Sequence, residues 1–425
     1  MNDTIFALSS GVPPAAIAVL RISGPQAGHA LDALAGVRPK PRKASVRLLR
    51  GSGGELLDNA LVIWFPGPGT ATGEDLAELH LHGGRAVIAA VEKSLADLPG
   101  MRRAEPGEFT RRAFANGRID LAEAEGLADL LQAETELQRR QALAMASGSL
   151  SSKVSGWREA VLLASAQIEA LLDFGDEDDV QDLPAAFSER IGSLAGEIGA
   201  SLESPSAERL REGFRVVLAG PPNAGKSSLF NKLVNEDAAI IAPIPGTTRD
   251  VLTRPVAMAG IPFLFADTAG LREDTSDTVE VIGIQRAKGE LTLADIVLWL
   301  GPEGESDSEQ VWEIESFADT FAPRKASARH RVSSVSGEGI DGLRNDLIET
   351  ARGSMIKPGT VALNQRQRQL LLIARQALDR AQGVTDLLLI AEEMRTARGA
   401  FDRLLGNAAT EDMLDTLFGR FCIGK

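Results

Sequence analysis

The chain contains a single cysteine, Cys422, among 425 residues. It can form neither an intramolecular disulfide nor a multi-cysteine zinc site, and a reducing compartment is the default expectation. Basic charge is also short, with 45 Lys and Arg against 59 Asp and Glu and a net charge of −14. That sign disfavours a nonspecific nucleic-acid coat or anionic-membrane binding, so any RNA contact needs a local basic patch. No apolar run approaches the roughly 18–20 residues needed to cross a bilayer. The segment Met1 to Ser10 carries an Asp and no basic stretch of the signal-peptide kind. A cytoplasmic, unanchored protein is therefore expected. A composition of 44% hydrophobic and 24% charged residues argues against wholesale disorder, and the length suggests about two to four domains.

Texture divides the chain. Over 1–118, short β-rich runs (Ala15 to Ile22, Leu61 to Phe65, Glu78 to His82) mix with Gly/Pro punctuation and one helical stretch, Arg85 to Leu98, predicting a small α/β domain. Over 119–211, Ala, Leu, Glu and Gln recur at helical spacing with almost no proline. Over 212–354, apolar strand-like runs (Arg215 to Ala219, Ile261 to Ala266, Ile296 to Leu300) alternate with helical segments, as in a parallel sheet wrapped by helices. Helical texture returns over 355–425. The fold class expected is multidomain, α/β plus all-α, with one helical domain split in sequence by an inserted α/β domain. The aliphatic stripes in Val161 to Leu172 and Leu370 to Leu378 read as helix-bundle core.

The strand Arg215 to Ala219 leads into Gly220-Pro221-Pro222-Asn223-Ala224-Gly225-Lys226-Ser227, followed by Ser228. This is the phosphate-loop pattern, in which backbone N–H groups at a helix start cradle phosphates, Lys226 adds a point charge and the Ser227 hydroxyl ligates Mg²⁺. Context raises its weight. Ile261 to Ala266 ends in Asp267-Thr268-Ala269-Gly270, as expected for a strand delivering a Mg²⁺-side carboxylate and a glycine that senses the γ-phosphate. Between them, Gly246-Thr247-Thr248-Arg249-Asp250 offers Thr248 as a second hydroxyl on Mg²⁺. These motifs together predict a P-loop nucleotide-binding domain.

Gly-Thr-Thr-Arg-Asp followed by Asp-Thr-Ala-Gly-Leu resembles the Era-like GTPases, in which an apolar residue, here Leu271, replaces a catalytic glutamine. Leucine cannot orient a water, so the polar group must come from elsewhere. Asp3-Thr4-Ile5, Leu20-Arg21-Ile22-Ser23-Gly24, Thr72-Gly73-Glu74-Asp75, Glu105-Pro106-Gly107-Glu108-Phe109-Thr110, Asp120-Leu121-Ala122-Glu123-Ala124-Glu125 and the terminal Phe421-Cys422-Ile423-Gly424-Lys425 narrow the resemblance to the MnmE (TrmE) family of tRNA modification GTPases. The similarity covers essentially the whole chain. It implies an N-terminal folate-binding domain, a discontinuous helical domain and an inserted GTPase domain. It also implies K⁺-stimulated GTP hydrolysis activated by homodimerisation, a flavoprotein partner, MnmG, and an aminomethyl-type modification of wobble uridine in tRNA. The one-carbon donor implied is 5-formyl- or 5,10-methylene-tetrahydrofolate.

Residue by residue, the resemblance implies Asn223 as a K⁺ ligand, with Ala242, Ile244 and Thr247 completing the shell; at Ala242 only the carbonyl is available. It implies Glu280, in Val279-Glu280-x-x-Gly283-Ile284-x-Arg286, as the residue that positions the attacking water. Arg21, Glu78 and Arg118 resemble the folate-holding residues, Glu78 suited to the N–H groups of a pterin edge, and Lys425 reaches folate as well. The family commonly has Lys at Arg118, where the fork geometry differs. Cys422 is open to two readings, a role in the modification chemistry or a packing role. His80 and His82 lack a third ligand and read as a strand-end pair, and Asp176 to Asp179 as a solvated helix-end loop.

The sequence departs from the resemblance in several places. Ser10 to Ala16 lacks the family's Arg-Gly-Gly turn, and Asn364-Gln365-Arg366-Gln367 stands where Asn-x-Arg-His is common. GTPases of this class read guanine with Asn-Lys-x-Asp, and no such tetrapeptide exists here. Two degenerate candidates remain, Arg324-Lys325-Ala326-Ser327 and Ser316-Phe317-Ala318-Asp319. We prefer the second because it keeps the acid, Asp319, and follows the alternating run Val311 to Glu315, with Phe317 placed to stack on the purine. Ser333 and Ser334, in Ser333-Ser334-Val335-Ser336-Gly337, resemble the last base-contacting loop. The alternative reading is an Era-like regulatory or ribosome-assembly GTPase without modification chemistry. A third is a folate-binding scaffold with vestigial hydrolysis.

Overall fold

A computed structural model describes residues 3–174, 183, 185–204, 206–235, 239–240, 252–267, 291–304, 310–355, 361–419 and 421–424. The chain forms two compact units, each described by itself.

The first unit comprises 1–128, 151–154 and 402–425. Its elements are β1 (Thr4–Leu8), β2 (Ile17–Ser23), α1 (Ala27–Ala35), β3 (Ser45–Arg50), β4 (Leu56–Phe65), β5 (Leu76–His82), α2 (Arg85–Ala96), β6 (Met101–Arg103), α3 (Glu108–Ala115) and α4 (Leu121–Leu131). The six-stranded sheet has the order β3-β4-β5-β2-β1-β6. Successive strand side chains alternate between faces. Leu20, Ile22, Leu79, Val62 and Trp64 therefore share one face, which α1 and α2 cover with Leu31, Leu34, Val91 and Leu95. Arg21 and Glu78, cross-strand partners in the β2–β5 register, project from the other.

The second unit comprises 129–150 and 155–401. Its elements begin with α5 (Glu136–Ala146), α6 (Ser149–Phe174), α7 (Ala185–Leu202), α8 (Ala207–Glu212), β7 (Phe214–Ala219), α9 (Lys226–Asn235), β8 (Ala239–Ile240), β9 (Leu252–Met258) and β10 (Ile261–Asp267). They continue with β11 (Ile296–Trp299), β12 (Val311–Glu315), β13 (His330–Arg331), α10 (Ile340–Ser354), α11 (Gln365–Gln382) and α12 (Leu387–Leu405). The last helix of the chain, α13 (Glu411–Phe418), returns to the first unit. The seven-stranded sheet runs β13-β12-β11-β7-β10-β9-β8. The strands from β13 to β10 are parallel, and β9 is antiparallel to both its neighbours. Parallel strands are buried on both faces and read as near-continuous apolar runs. Val216 and Leu218 accordingly face Leu229, Leu233, Leu343 and Leu347, while Val217 and Ala219 face Ala294 and Val297.

The segments flanking this sheet meet. Ser206 forms a parallel bridge with Leu363, and the Ala207 N–H donates to the Leu363 carbonyl at 3.0 Å. Beyond them α7 packs along α11, with Gly192 and Gly199 leaving room for Gln382 and Arg375. Of the aliphatic stripe in α6, Val161, Ala164 and Ile168 are buried while Leu162, Leu163 and Leu172 are exposed. In α11, Leu371, Ala374, Ala377 and Leu378 are buried and Leu372 is exposed. No helix among the described residues is long and apolar enough to cross a membrane.

Candidate functional site

The C-terminal end of β7 turns into α9 through a loop that only particular residues can build. Gly220 has φ +141°, and a Cβ there would lie 2.9 Å from the Gly301 nitrogen. Asn223 takes φ +61°, a left-handed conformation that asparagine tolerates better than most residues. The loop leaves the first N–H groups of α9 beside it, a ready anion site. The Lys226 ammonium lies over the loop and donates to the carbonyls of Gly220 and Pro221, each at 2.8 Å. Asn223, Ser227 and Ser228 are exposed, and Ala224 and Gly225 are half-buried.

Asp267 is the last residue of β10, next to β7 in the sheet, and is 2% exposed. Its Oδ2 accepts a hydrogen bond from Ser227 Oγ at 2.8 Å. Buried carboxylates need partners, and this one has the Ser227 hydroxyl. The chemistry of the pair suits a hard cation, which takes oxygen ligands. Ala242, Ile244, Thr247, Thr248, Thr268, Ala269, Gly270, Glu280 and Lys425 lie outside the described residues, as do Asp176 to Asp179.

On the other side of the loop, the segment after β12 closes against it. Ser316 Oγ donates to the Ala224 carbonyl at 2.7 Å, and the Ala318 N–H to the Val332 carbonyl at 3.1 Å. Asp319 is exposed. A hydrogen bond from the Ser333 hydroxyl is the main force holding its carboxyl below the usual range. The structure thus brings Asp319, Ser333 and the phosphate loop together. Ser334 follows at the same turn, half-buried. The rival tetrapeptide is engaged elsewhere. Lys325 Nζ pairs with Glu313 at 2.6 Å and donates to the Trp299 carbonyl at 3.3 Å, and the N–H groups of Ala326 and Ser327 donate to Glu303.

In the first unit, Arg21 donates through Nε and Nη2 to Glu78 Oε1 at 3.2 and 3.0 Å, with its guanidinium 5.9 Å from the Phe109 ring centroid. Both partners are half-buried. Glu78 Oε2 lies 3.4 Å from His80 Nε2, and His82 Nδ1 lies 2.7 Å from Asp58, so each histidine has its own carboxylate. Among the described residues no group of three or more His, Cys, Asp or Glu could hold a metal ion. Arg118 is exposed and lies against the Gly73 turn, where a Cβ on Gly73 would come within 3.2 Å of its Cγ.

The C-terminal tail docks on the same unit. Ile423 bridges to Pro106, the Gly107 N–H donates to the Cys422 carbonyl at 3.5 Å, and Ser9 Oγ donates to the Gly424 carbonyl at 2.8 Å. The Cys422 thiol is free and exposed. Gly107 precedes α3, which also carries Phe109.

Sequence reasoning missed Arg112, whose side chain is fully buried. It donates to Asp3, Glu74 and Glu108, while Ser23 donates to Glu74 and contacts Thr72 at 2.7 Å. Many residues quoted for the resemblance thus converge on one buried cation. Burial opposes ionisation of Glu108, but hydrogen bonds from Arg102, the Glu105 N–H and Arg112 outweigh it and hold the carboxyl below its ordinary value. The signal available was the i,i+4 spacing of Glu108 and Arg112 on one helix.

Comparison with known proteins gives the family. The family model for the MnmE helical domain matches residues 121–422, and that for the GTP-binding protein TrmE N-terminus matches 4–118. The chain belongs to the MnmE family. It is 61% identical over 424 residues to the tRNA modification GTPase MnmE of Erythrobacter litoralis, covering all of both chains. It is 58% identical over 437 residues to the protein of the same name from Novosphingobium aromaticivorans, again with full coverage. Among solved structures, a point variant of Aquifex aeolicus Era bound to GDP.AlF4- matches at 20% identity over 38% of this chain and 66% of that one, with a TM-score of 0.26.

Proposed function

We propose that this protein is a GTP hydrolase acting in tRNA modification, with the Gly220 to Ser227 loop as its phosphate cradle. The observation that carries this is the approach of Ser227 to Asp267 at 2.8 Å beside that loop, in a chain whose full-length relatives are named tRNA modification GTPases. In use, Lys226 exchanges the carbonyls of Gly220 and Pro221 for phosphate oxygens. Ser227 and Thr248 would ligate Mg²⁺, with Asp267 accepting from its water shell, and the ion would supply positive charge against the phosphates.

With Leu271 unable to orient water, Glu280 takes that task, and Thr268, Ala269 and Gly270 contact the γ-phosphate. Asn223, Ala242, Ile244 and Thr247 would hold K⁺, which would supply a positive charge of the kind an arginine finger gives in other GTPases. Asp319 accepts the N–H groups of guanine, with Ser333 and Ser334 beside it. A second copy of the chain completes the active state.

In the first unit, Arg21, Glu78, Arg118 and Lys425 bind tetrahydrofolate, and Cys422 is free to serve the modification chemistry. The partner is the flavoprotein MnmG, the target is wobble uridine of tRNA, and the setting is the cytoplasm.

GTP turnover measured in K⁺ and in Na⁺ over a range of protein concentrations tests the hydrolytic part. Turnover should rise with K⁺ and with concentration, and Lys226→Ala should abolish it. Equal turnover in both salts, with no concentration dependence, contradicts the cation and dimer assignments. Calorimetry with 5-formyl-tetrahydrofolate tests the folate part, which fails if the wild type binds none.

A further inference from the structure

Phe317 combines features that packing alone does not account for. It has φ +62°, a region in which a bulky side chain is a genuine outlier. Such outliers persist where the surroundings over-determine them, and they cluster at ligand clamps. The residue holding this conformation is an aromatic that remains 40% exposed.

The surroundings do fix it. The flanking Ser316 is tied to the Ala224 carbonyl at 2.7 Å. The Ala318 N–H is tied to Val332, and the Phe317 carbonyl accepts from the N–H groups of Thr320 and Phe321 at 3.0 and 3.1 Å. The Phe317 and Phe321 rings stand perpendicular to one another, centroids 6.2 Å apart, and the Arg324 guanidinium lies 3.5 Å over the Phe321 ring centroid. A Cβ on Gly225 would come within 3.3 Å of Phe317 Cζ, so the ring reaches the phosphate loop itself.

We infer that Phe317 is a base-stacking residue that sets nucleotide affinity at this site, its ring face forming a platform for the purine while Asp319 reads the edge. This rests on the nucleotide-binding reading above and extends it. The Ser316 hydroxyl is committed to Ala224, so its role is to position Phe317 rather than to touch the base. Stacking on an aromatic is tolerant of base identity, so Phe317 contributes affinity and leaves guanine preference to Asp319.

The test is Phe317→Gly in the full-length chain. Glycine adopts positive φ without strain, which offsets part of the packing lost against Phe321, so the nucleotide-free variant should remain folded with a single cooperative melt. Its Kd for GDP should nonetheless rise on the order of 10-fold. Its Kd for XDP relative to GDP should stay unchanged, and its affinity for inorganic tripolyphosphate, which has no base, should not move. Phe317→Trp should keep wild-type GDP affinity and show an additional indole emission quenched by GDP.

Unchanged GDP affinity in Phe317→Gly overturns the inference. So does parallel loss of tripolyphosphate binding, which would make the residue structural. Failure of the wild type to bind GDP would instead remove the nucleotide reading on which both rest.

Discussion

Ser227 donates its hydroxyl to Asp267 at 2.8 Å, joining the first turn of α9 to the end of β10 where a nucleotide-bound Mg²⁺ would sit. Asp267→Asn keeps the size of the side chain but removes the charge that attracts the cation. GTP hydrolysis should fall on the order of 10²-fold or more, with GDP binding in EDTA little changed, since the loop N–H groups and Lys226 remain. Turnover with a Mg²⁺ titration, alongside GDP calorimetry, reads both quantities. Wild-type turnover would remove Asp267 from the cation site.

Asp319 and Ser333 make the base-reading assignment testable. Asp319→Asn replaces an acceptor pair with an amide that offers one acceptor and one donor. GTP affinity should fall by ~10-fold or more and preference should shift toward xanthosine triphosphate, whereas Lys325→Ala, a partner of Glu313, should leave base preference alone. Competition between the two nucleotides decides it, and an unaltered preference in Asp319→Asn would mean that guanine is read elsewhere.

Asn223 has φ +61°, so a test of its side chain must not confuse a lost ligand with a strained backbone. Asn223→Gly accepts the same φ and should erase most of the difference between K⁺ and Na⁺ turnover while sparing GDP binding. Retained K⁺ stimulation would place the ion on other ligands.

Arg112 is a fully buried cation of the first unit, and removing it takes one cationic partner from each of Glu108, Glu74 and Asp3, of which Glu108 and Asp3 keep Arg102. Breaking a buried pair in this way costs about 3–5 kcal/mol, so Arg112→Met should lose hydrogen-exchange protection in β1, β2 and α3. The sign with pH follows from Glu108. Its folded pKa lies below its ordinary value near 4.5, so the stability it contributes is present above that pH and is lost as pH falls through the depressed folded value. The wild-type unit should weaken in that acid range, and Arg112→Met should show a flatter acid dependence. Equal protection in variant and wild type would show that the network contributes little.

The parts of this architecture legible in the sequence were those in which local pattern and burial coincide. Phe214–Ala219, Ile261–Asp267 and Ile296–Trp299 are central strands covered on both faces, and they read as unbroken apolar runs. Strand Leu252–Met258 was not legible because Pro255 stands within it, and proline argues against a strand interior. Helical hydrophobicity overstated the core: Leu162 and Leu163 match the stripe in composition but point outward. In the candidate site, the phosphate loop and Asp267 form a local signature. The Ser316 contact with Ala224 joins residues 92 apart, and Arg112 draws on Asp3, 109 positions away. Such pairings are made by strand order, which no short window of sequence carries.

The central claim, that this chain serves tRNA modification through GTP hydrolysis, meets its most direct test in the wobble uridines themselves. Nucleoside mass spectrometry of tRNA from a strain lacking the gene, compared with strains rescued by the wild type and by Lys226→Ala, is the measurement. We predict loss of the aminomethyl-type modification in the deletion, recovery with the wild type and no recovery with Lys226→Ala. Unchanged wobble uridines in the deletion strain would contradict the account.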